Sequence, residues 1–253
     1  MLNLDAEIFA AQQGVSLEDG IPAEFLDKYL SEKCRVWFTV YSIELCIKFI
    51  KNTYGFNDIV DDKERAVRLV DFLGEHVFNC DVVREAEQHS NSGSTSTYAY
   101  YYTEPTQDGN RLWPKPSWLP SKGDHFSEIK YVFGSPLLAN DTTSIWHEQI
   151  EKSFSAKIMY ASALESEKNL SLSMMLMWSN FAKSGNPNSP VPLPDGIPVW
   201  PQFTTENNQF LEINSEQMKV ITTPNKSRLE MLADVLWKDR DAQLHLEKFT
   251  RNT

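Results

Sequence analysis

Apolar residues at Phe25, Leu26, Tyr29 and Leu30 recur at helical spacing behind Pro22, a residue suited to a first helical turn, so the pattern predicts helix through 22–50. Trp37, Phe38, Tyr41, Leu45, Ile47, Phe49 and Ile50 then cover more than one face, and this second part is expected to be buried all round. The helical pattern returns from Asp61 to Leu73 with Val67, Leu69, Val70, Phe72 and Leu73, and Gly74 is expected to end it. A short helix over Asp81 to His89 and a polar loop over Ser90 to Ser96 follow.

The period then changes to two. Thr97 to Thr103 is rich in aromatic residues and reads as a strand with Tyr98, Tyr100 and Tyr102 on one face, and both faces are apolar enough to be covered. Pro105, Pro114, Pro116 and Pro120, with Gly109 and Gly123, preclude regular structure up to Gly123 and mark that stretch as a functional loop. Ser144 to Phe181 is predicted helical in two parts around Glu165 to Asn169, and Asn186 to Pro201 is a long loop. Phe210 to Ile213 and Lys219 to Thr222 form a hairpin. Thr223 as N-cap and Pro224 as first helical residue open a last helix striped by Leu229, Leu232 and Leu236.

Composition narrows the function classes. With 24 basic against 35 acidic side chains the net charge is −11, so neither nucleic acid nor an anionic membrane surface is an expected partner. Residues Met1 to Glu7 lack the basic and apolar segments of a signal peptide. The apolar stretch Val36 to Ile50, interrupted by Glu44 and Lys48, falls short of the ~20 residues of a membrane span, so a soluble chain is expected. The 10 glycines never stand closer than six positions apart. The dinucleotide-binding turn, the P-loop and the nucleophile elbow GxSxG all need closer pairs and are absent. Cys34, Cys46 and Cys80 permit one internal disulfide at most. His76 and Cys80 stand four apart, yet two ligands without a third do not make a zinc site, and no metal or cofactor is expected.

Three stretches in order resemble the C-terminal half of the type-B carboxylesterases, the serine ester hydrolases that include cholinesterases and bile-salt-activated lipase. They are Leu73 to Cys80 leading into the strand at Tyr98 to Tyr102; Gly123 to Pro136; and Met174 to Pro187 with Trp200 and Phe203 to Glu206. The match is clearest over 65–240, and 1–253 is read as one partial domain of that family. The resemblance implies an α/β fold, the C-terminal part of an α/β-hydrolase, helix-rich with a few strands and with its central sheet incomplete. It also implies secretion or residence in the endoplasmic-reticulum lumen, which three Asn-x-Ser/Thr sequons at Asn140, Asn169 and Asn225 fit as sites of a glycoprotein.

The same resemblance implies a Ser-His-acid triad, in which imidazole takes the serine proton and a carboxylate fixes its tautomer. His125 matches the family's histidine. Asp5 resembles the acid, with Glu7 as the fallback, and Glu128 matches a carboxylate that braces the histidine loop. The nucleophile segment normally precedes the acid, so the serine half is expected to be missing from this chain. Phe126 stands where the family keeps a small residue, Ala6 replaces a glycine after the acid, and Cys80 has Asp234 where a disulfide partner would stand.

The expected function is therefore the C-terminal half of a carboxylic-ester hydrolase, acting on a neutral ester once completed by an N-terminal half and prone to self-association alone. A cholinesterase-like adhesion module resembling the neuroligin group, without catalysis, is the alternative, and a degenerate remnant is a third reading.

Overall fold

A computed structural model describes residues 9–37, 42–93, 96–105, 116, 118–119, 122–138, 164–236 and 238. These fall into two compact units. The first holds the described residues up to Arg84, Pro116, Trp118, Leu119 and those from Asn225 on; the second holds those from Glu85 to Pro105 and from Lys122 to Pro224.

In the first unit, helix α1 (Ala23–Trp37) buries the predicted stripe Phe25, Leu26, Tyr29 and Leu30 together with Cys34. The apolar run does not continue as one buried helix. A new helix, α2 (Ile43–Thr53), starts at Ser42, whose hydroxyl accepts from the Leu45 amide at 3.2 Å. Only Cys46 and Ile50 of α2 are buried, whereas Leu45 is 60% exposed. Restarting the helix resets its rotation, so a second stripe meets the core, with Ile43, Ile47 and Phe49 half-buried along its margins and Leu45 facing outward. A disulfide between Cys34 and Cys46 joins α1 to α2, with Cα atoms 6.0 Å apart.

Helix α3 (Asp62–Gly74) is capped by Asp61, which accepts from the Glu64 amide at 2.7 Å. Gly74 does not end it: the residue keeps right-handed helical angles, and the chain runs on through a π-helical turn at Glu75–Asn79 into α4 (Cys80–Asn91). A glycine inside a helix costs about 1 kcal/mol. That cost is overridden by what the π turn places inside, because Glu75 is buried and fully occupied. Its Oε2 accepts from the Tyr54 hydroxyl at 2.7 Å and from Arg228 Nε at 2.6 Å, while its Oε1 accepts from Asn225 Nδ2 at 2.9 Å and from Arg228 Nη2. The guanidinium lies over the Tyr54 ring, 4.9 Å from its centroid. Burial, reinforced by the neighbouring Glu75, holds the Tyr54 hydroxyl far above its ordinary pKa.

The last described helix, α5 (226–236), starts two residues later than Thr223 and Pro224 predict, and buries Leu229, Leu232 and Leu236 as expected. Its first carbonyl is that of Asn225, in left-handed conformation at φ 51°. Thr223 bonds the Asn208 carbonyl instead, because its amide closes the end of the hairpin at 2.9 Å. The Cys80 thiol is buried and donates to the Leu229 carbonyl at 3.7 Å; burial first, then Glu75 and Asp81, push its pKa up to about 12.

The second unit is built on a three-stranded mixed sheet in the order β1 (Tyr100–Tyr102), β2 (Gln209–Ile213), β3 (Lys219–Thr222). β1 runs parallel to β2 with Tyr100 opposite Leu211, and β2 forms the predicted antiparallel hairpin with β3. Tyr98, Tyr100 and Tyr102 share one face, as the alternation requires, and pack against a cluster containing Met174, Met177, Trp178 and Trp200. The methionines come from α6 (Glu165–Ser184), one continuous helix in which Glu165 to Asn169 are the first turns and not a break. Residues 139–163 lie outside the description. The loop after α6 is ordered by side-chain amides: Asn180 bonds the Pro187 and Val191 carbonyls, and Asn188 bonds both backbone groups of Trp200.

Arg228→Ala leaves the Glu75 carboxylate buried without its cation, and a loss of about 3 kcal/mol is expected. Tyr54→Phe, which removes one hydrogen bond to the same carboxylate, is expected to cost about 1 kcal/mol. Urea denaturation of the two variants checks both the size and the order.

Candidate active site

The histidine loop begins where backbone meets backbone. A Cβ on Gly123 would fall onto the Tyr102 carbonyl oxygen and lie 2.6 Å from the Tyr102 ring, so only glycine fits against the last residue of β1. The loop then turns tightly: the Ser127 hydroxyl donates to the Asp124 carbonyl at 2.6 Å, and the Ser127 amide reaches the same oxygen at 3.1 Å. His125 stands on the outside of this turn, exposed, with its ring edge-on to Phe126 and the centroids 4.5 Å apart.

Phe126 adopts φ 71°, the left-handed region that costs a residue with a Cβ roughly 1–2 kcal/mol, and the residue is 58% exposed. A small residue after the histidine is thus what the backbone itself favours. Glu128 is half-buried and closes the loop, its carbonyl accepting from the Tyr131 amide at 3.0 Å. Burial first, and the Glu128 charge second, push the Tyr100 hydroxyl up to about 12. His125 and Glu128 are therefore carried by one loop at one strand end. Asp5 and Glu7 lie outside the described residues.

Behind the loop a short helix at Ile129–Val132 is clamped by a carboxylate that sequence reasoning did not single out. Glu167, 2% exposed on α6, accepts from Lys130 Nζ at 3.1 Å and from the Tyr131 hydroxyl at 2.9 Å through Oε1. Its Oε2 accepts from the Leu164 amide at 2.9 Å, and the neighbouring Ser171 hydroxyl donates to the Tyr131 carbonyl at 2.7 Å. Burial alone would raise the Glu167 pKa. The Leu164 amide, Lys130 and Tyr131 outweigh it and hold the carboxyl below its ordinary value. The available sequence signal was Lys130-Tyr131 inside an apolar run, two polar groups that burial would leave in need of a partner.

An exposed imidazole on a sterically pinned loop can exchange a proton with a group presented to it. Metal chemistry has no cluster of three or more His, Cys, Asp or Glu side chains among the described residues. His76 stacks on Phe72, with centroids 5.5 Å apart, and Cys80 is turned to Leu229, so the pair singled out by spacing is packing. No helix among the described residues is long and apolar enough to cross a membrane.

Two substitutions test the loop. Phe126→Gly removes the left-handed penalty and is expected to stabilise the protein by about 1 kcal/mol, read as a higher thermal midpoint. Glu167→Gln is expected to destabilise at neutral pH by leaving Lys130 without its anion. Because the folded-state pKa of Glu167 is depressed, its contribution is full above the ordinary carboxyl range near 4.5 and is lost as pH falls through the folded value. The stability gap between parent and variant should accordingly be widest above pH 4.5 and close on acidification, measured by denaturation at a series of pH values.

The model of the Carboxylesterase family matches residues 12–232. Carboxylesterase 3 of Homo sapiens is 31% identical over 154 residues, covering 61% of this chain and 23% of that protein. Liver carboxylesterase of Sus scrofa is 31% identical over 186 residues, covering 73% and 25%. Acetylcholinesterase of Bungarus fasciatus is 31% identical over 150 residues, covering 59% and 20%. The chain spans about a quarter of the length of the curated relatives it matches. A family match across both units, through the histidine loop and the aromatic strand, establishes that this chain belongs to the carboxylesterase family.

Proposed function

We propose that the chain contributes the general-base histidine of a serine carboxylic-ester hydrolase, His125, with the nucleophilic serine supplied by polypeptide beyond these 253 residues. The observation that carries the reading is the placement of His125 on a loop whose Gly123 is pressed against the last residue of β1, a strand with a parallel neighbour. Open α/β sheets present their reactive groups beyond the carboxyl ends of parallel strands. In this reading the three strands belong to the C-terminal part of an α/β-hydrolase, and further strands from the serine-bearing part complete the sheet. Alone, the chain would associate through the uncovered faces.

The chemistry follows from the groups. The imidazole takes the proton of the serine hydroxyl as it attacks a neutral ester carbonyl, then returns it to the leaving alcohol. Asp5, with Glu7 as the nearby substitute, would accept the remaining imidazole N–H and stabilise the imidazolium; Glu128 braces the loop. Oxyanion donors come with the serine segment. Family membership and the sequons support passage through the secretory pathway.

A single observation favours the second reading, a family member that binds other proteins without hydrolysis. The Phe126 ring rests edge-on against His125 and occupies a flank of the imidazole. Fusion of the chain to a family segment bearing GxSxG separates the two. Hydrolysis of p-nitrophenyl butyrate by the fusion, falling on the order of a thousandfold or more in kcat with His125→Ala, supports the hydrolase. Phe126→Gly should raise the rate. A folded fusion that is inert with either Phe or Gly at position 126 supports the binding module.

A further inference from the structure

We infer that Asn169 is an attachment site for an N-linked glycan, and that the glycan stands on the outer face of α6. The sequon Asn169-Leu170-Ser171 is a necessary condition and a weak one alone. The helix supplies the rest. Its buried side is made by Glu167, Leu170, Ser171, Met174 and Met177, and at about 3.6 residues per turn position 169 falls on the opposite side, where the residue is exposed. The Asn169 carbonyl is engaged by the Ser173 hydroxyl at 2.9 Å, a bond made by backbone that leaves the side-chain amide unaffected. One turn on, on the same outer side, Leu172 is 53% exposed. A sugar on Asn169 would cover that leucine.

Asn225, the other described sequon, is differently placed. Its Nδ2 donates to the Glu75 carboxylate, so a sugar on that nitrogen competes with the ion network of the first unit. Asn140 lies outside the described residues. The Cys34–Cys46 disulfide is an independent sign of an oxidising compartment, the setting in which glycan transfer takes place.

The step is a glycosyl transfer from a polyprenyl-diphosphate oligosaccharide. The anomeric carbon–oxygen bond to the diphosphate breaks, a bond from that carbon to Asn169 Nδ2 forms, one amide proton goes to base, and the lipid diphosphate leaves. Transfer acts on the unfolded segment, so the later burial of Ser171 does not oppose it. The folded helix then has only to hold the sugar in solvent, which position 169 does. This holds whether or not His125 is catalytic.

The test expresses the full chain behind a cleavable leader in a eukaryotic host. Peptide mapping after enzymatic glycan release should find Asn169 converted to Asp, and Asn169→Gln should lose that modification. The double variant Asn140→Gln, Asn225→Gln should keep a glycosidase-sensitive mobility shift, and adding Asn169→Gln should abolish it. Because transfer precedes folding, the shift is read on total cell protein, so a variant that fails to fold still reports. An unmodified Asn169 peptide from chain whose leader has been cleaved, or loss of the entire shift in the double variant, overturns the assignment.

Discussion

The Glu167 carboxylate ties the histidine loop to the helix that covers the sheet, and it does so from inside, 2% exposed, with both oxygens occupied. A carboxylate in that position is costly unless a cation and hydrogen-bond donors surround it. Lys130 and Tyr131 provide them from the segment immediately following His125 and Glu128. The requirement runs in both directions: without Glu167 the lysine and the tyrosine hydroxyl would themselves be buried without an anion. The loop therefore cannot shift relative to α6 without exposing a charge to apolar surroundings, and its other end is pinned by the Gly123 approach to Tyr102.

The first unit solves the same problem with the same groups. Glu75 sits inside a helix, accepts from a tyrosine hydroxyl, is neutralised by one cation, and takes an additional amide donor from Asn225. In the second unit the corresponding roles fall to Tyr131, Lys130 and the Leu164 backbone amide. Arginine at the first site gives a two-nitrogen grip on both oxygens, and lysine at the second gives a point contact on one, which is what the geometry of each cation permits. Each network joins residues far apart in sequence, Glu75 to Arg228 and Lys130 to Glu167, and so fixes chain topology as well as packing.

Against this firm scaffold the histidine loop carries one local conflict. Phe126 holds a backbone conformation better suited to glycine, beside the histidine proposed as general base. Strain at a site commonly has a functional reason. Here the strained residue is bulky and exposed, and it leans on the imidazole it follows. The two readings of the chain differ in what that ring does: crowd an ester site that still turns over, or present an aromatic contact where hydrolysis has ceased.

What was legible in the chain was whatever depends on local periodicity. The stripe of α1, the aromatic face of β1, the β2–β3 hairpin and the leucines of the last helix all follow from spacing, because apolar side chains at 3.6 or 2 residues must share a side. His125 and Glu128 were singled out through the motif that contains them, and one loop carries both. Asp5 and Glu7, proposed the same way, lie outside the described residues. What only tertiary structure decided are the features where distant groups override local preference. Gly74 continues a helix because Glu75 has partners 21 and 153 residues away; α2 restarts at Ser42 and turns only Cys46 and Ile50 fully into the core, so that Leu45 is left exposed; and the last described helix starts late because Thr223 is used by Asn208. Propensity is a matter of tenths of a kcal/mol to about one per residue, and a buried charge is worth several, so wherever the two disagree the long-range term decides.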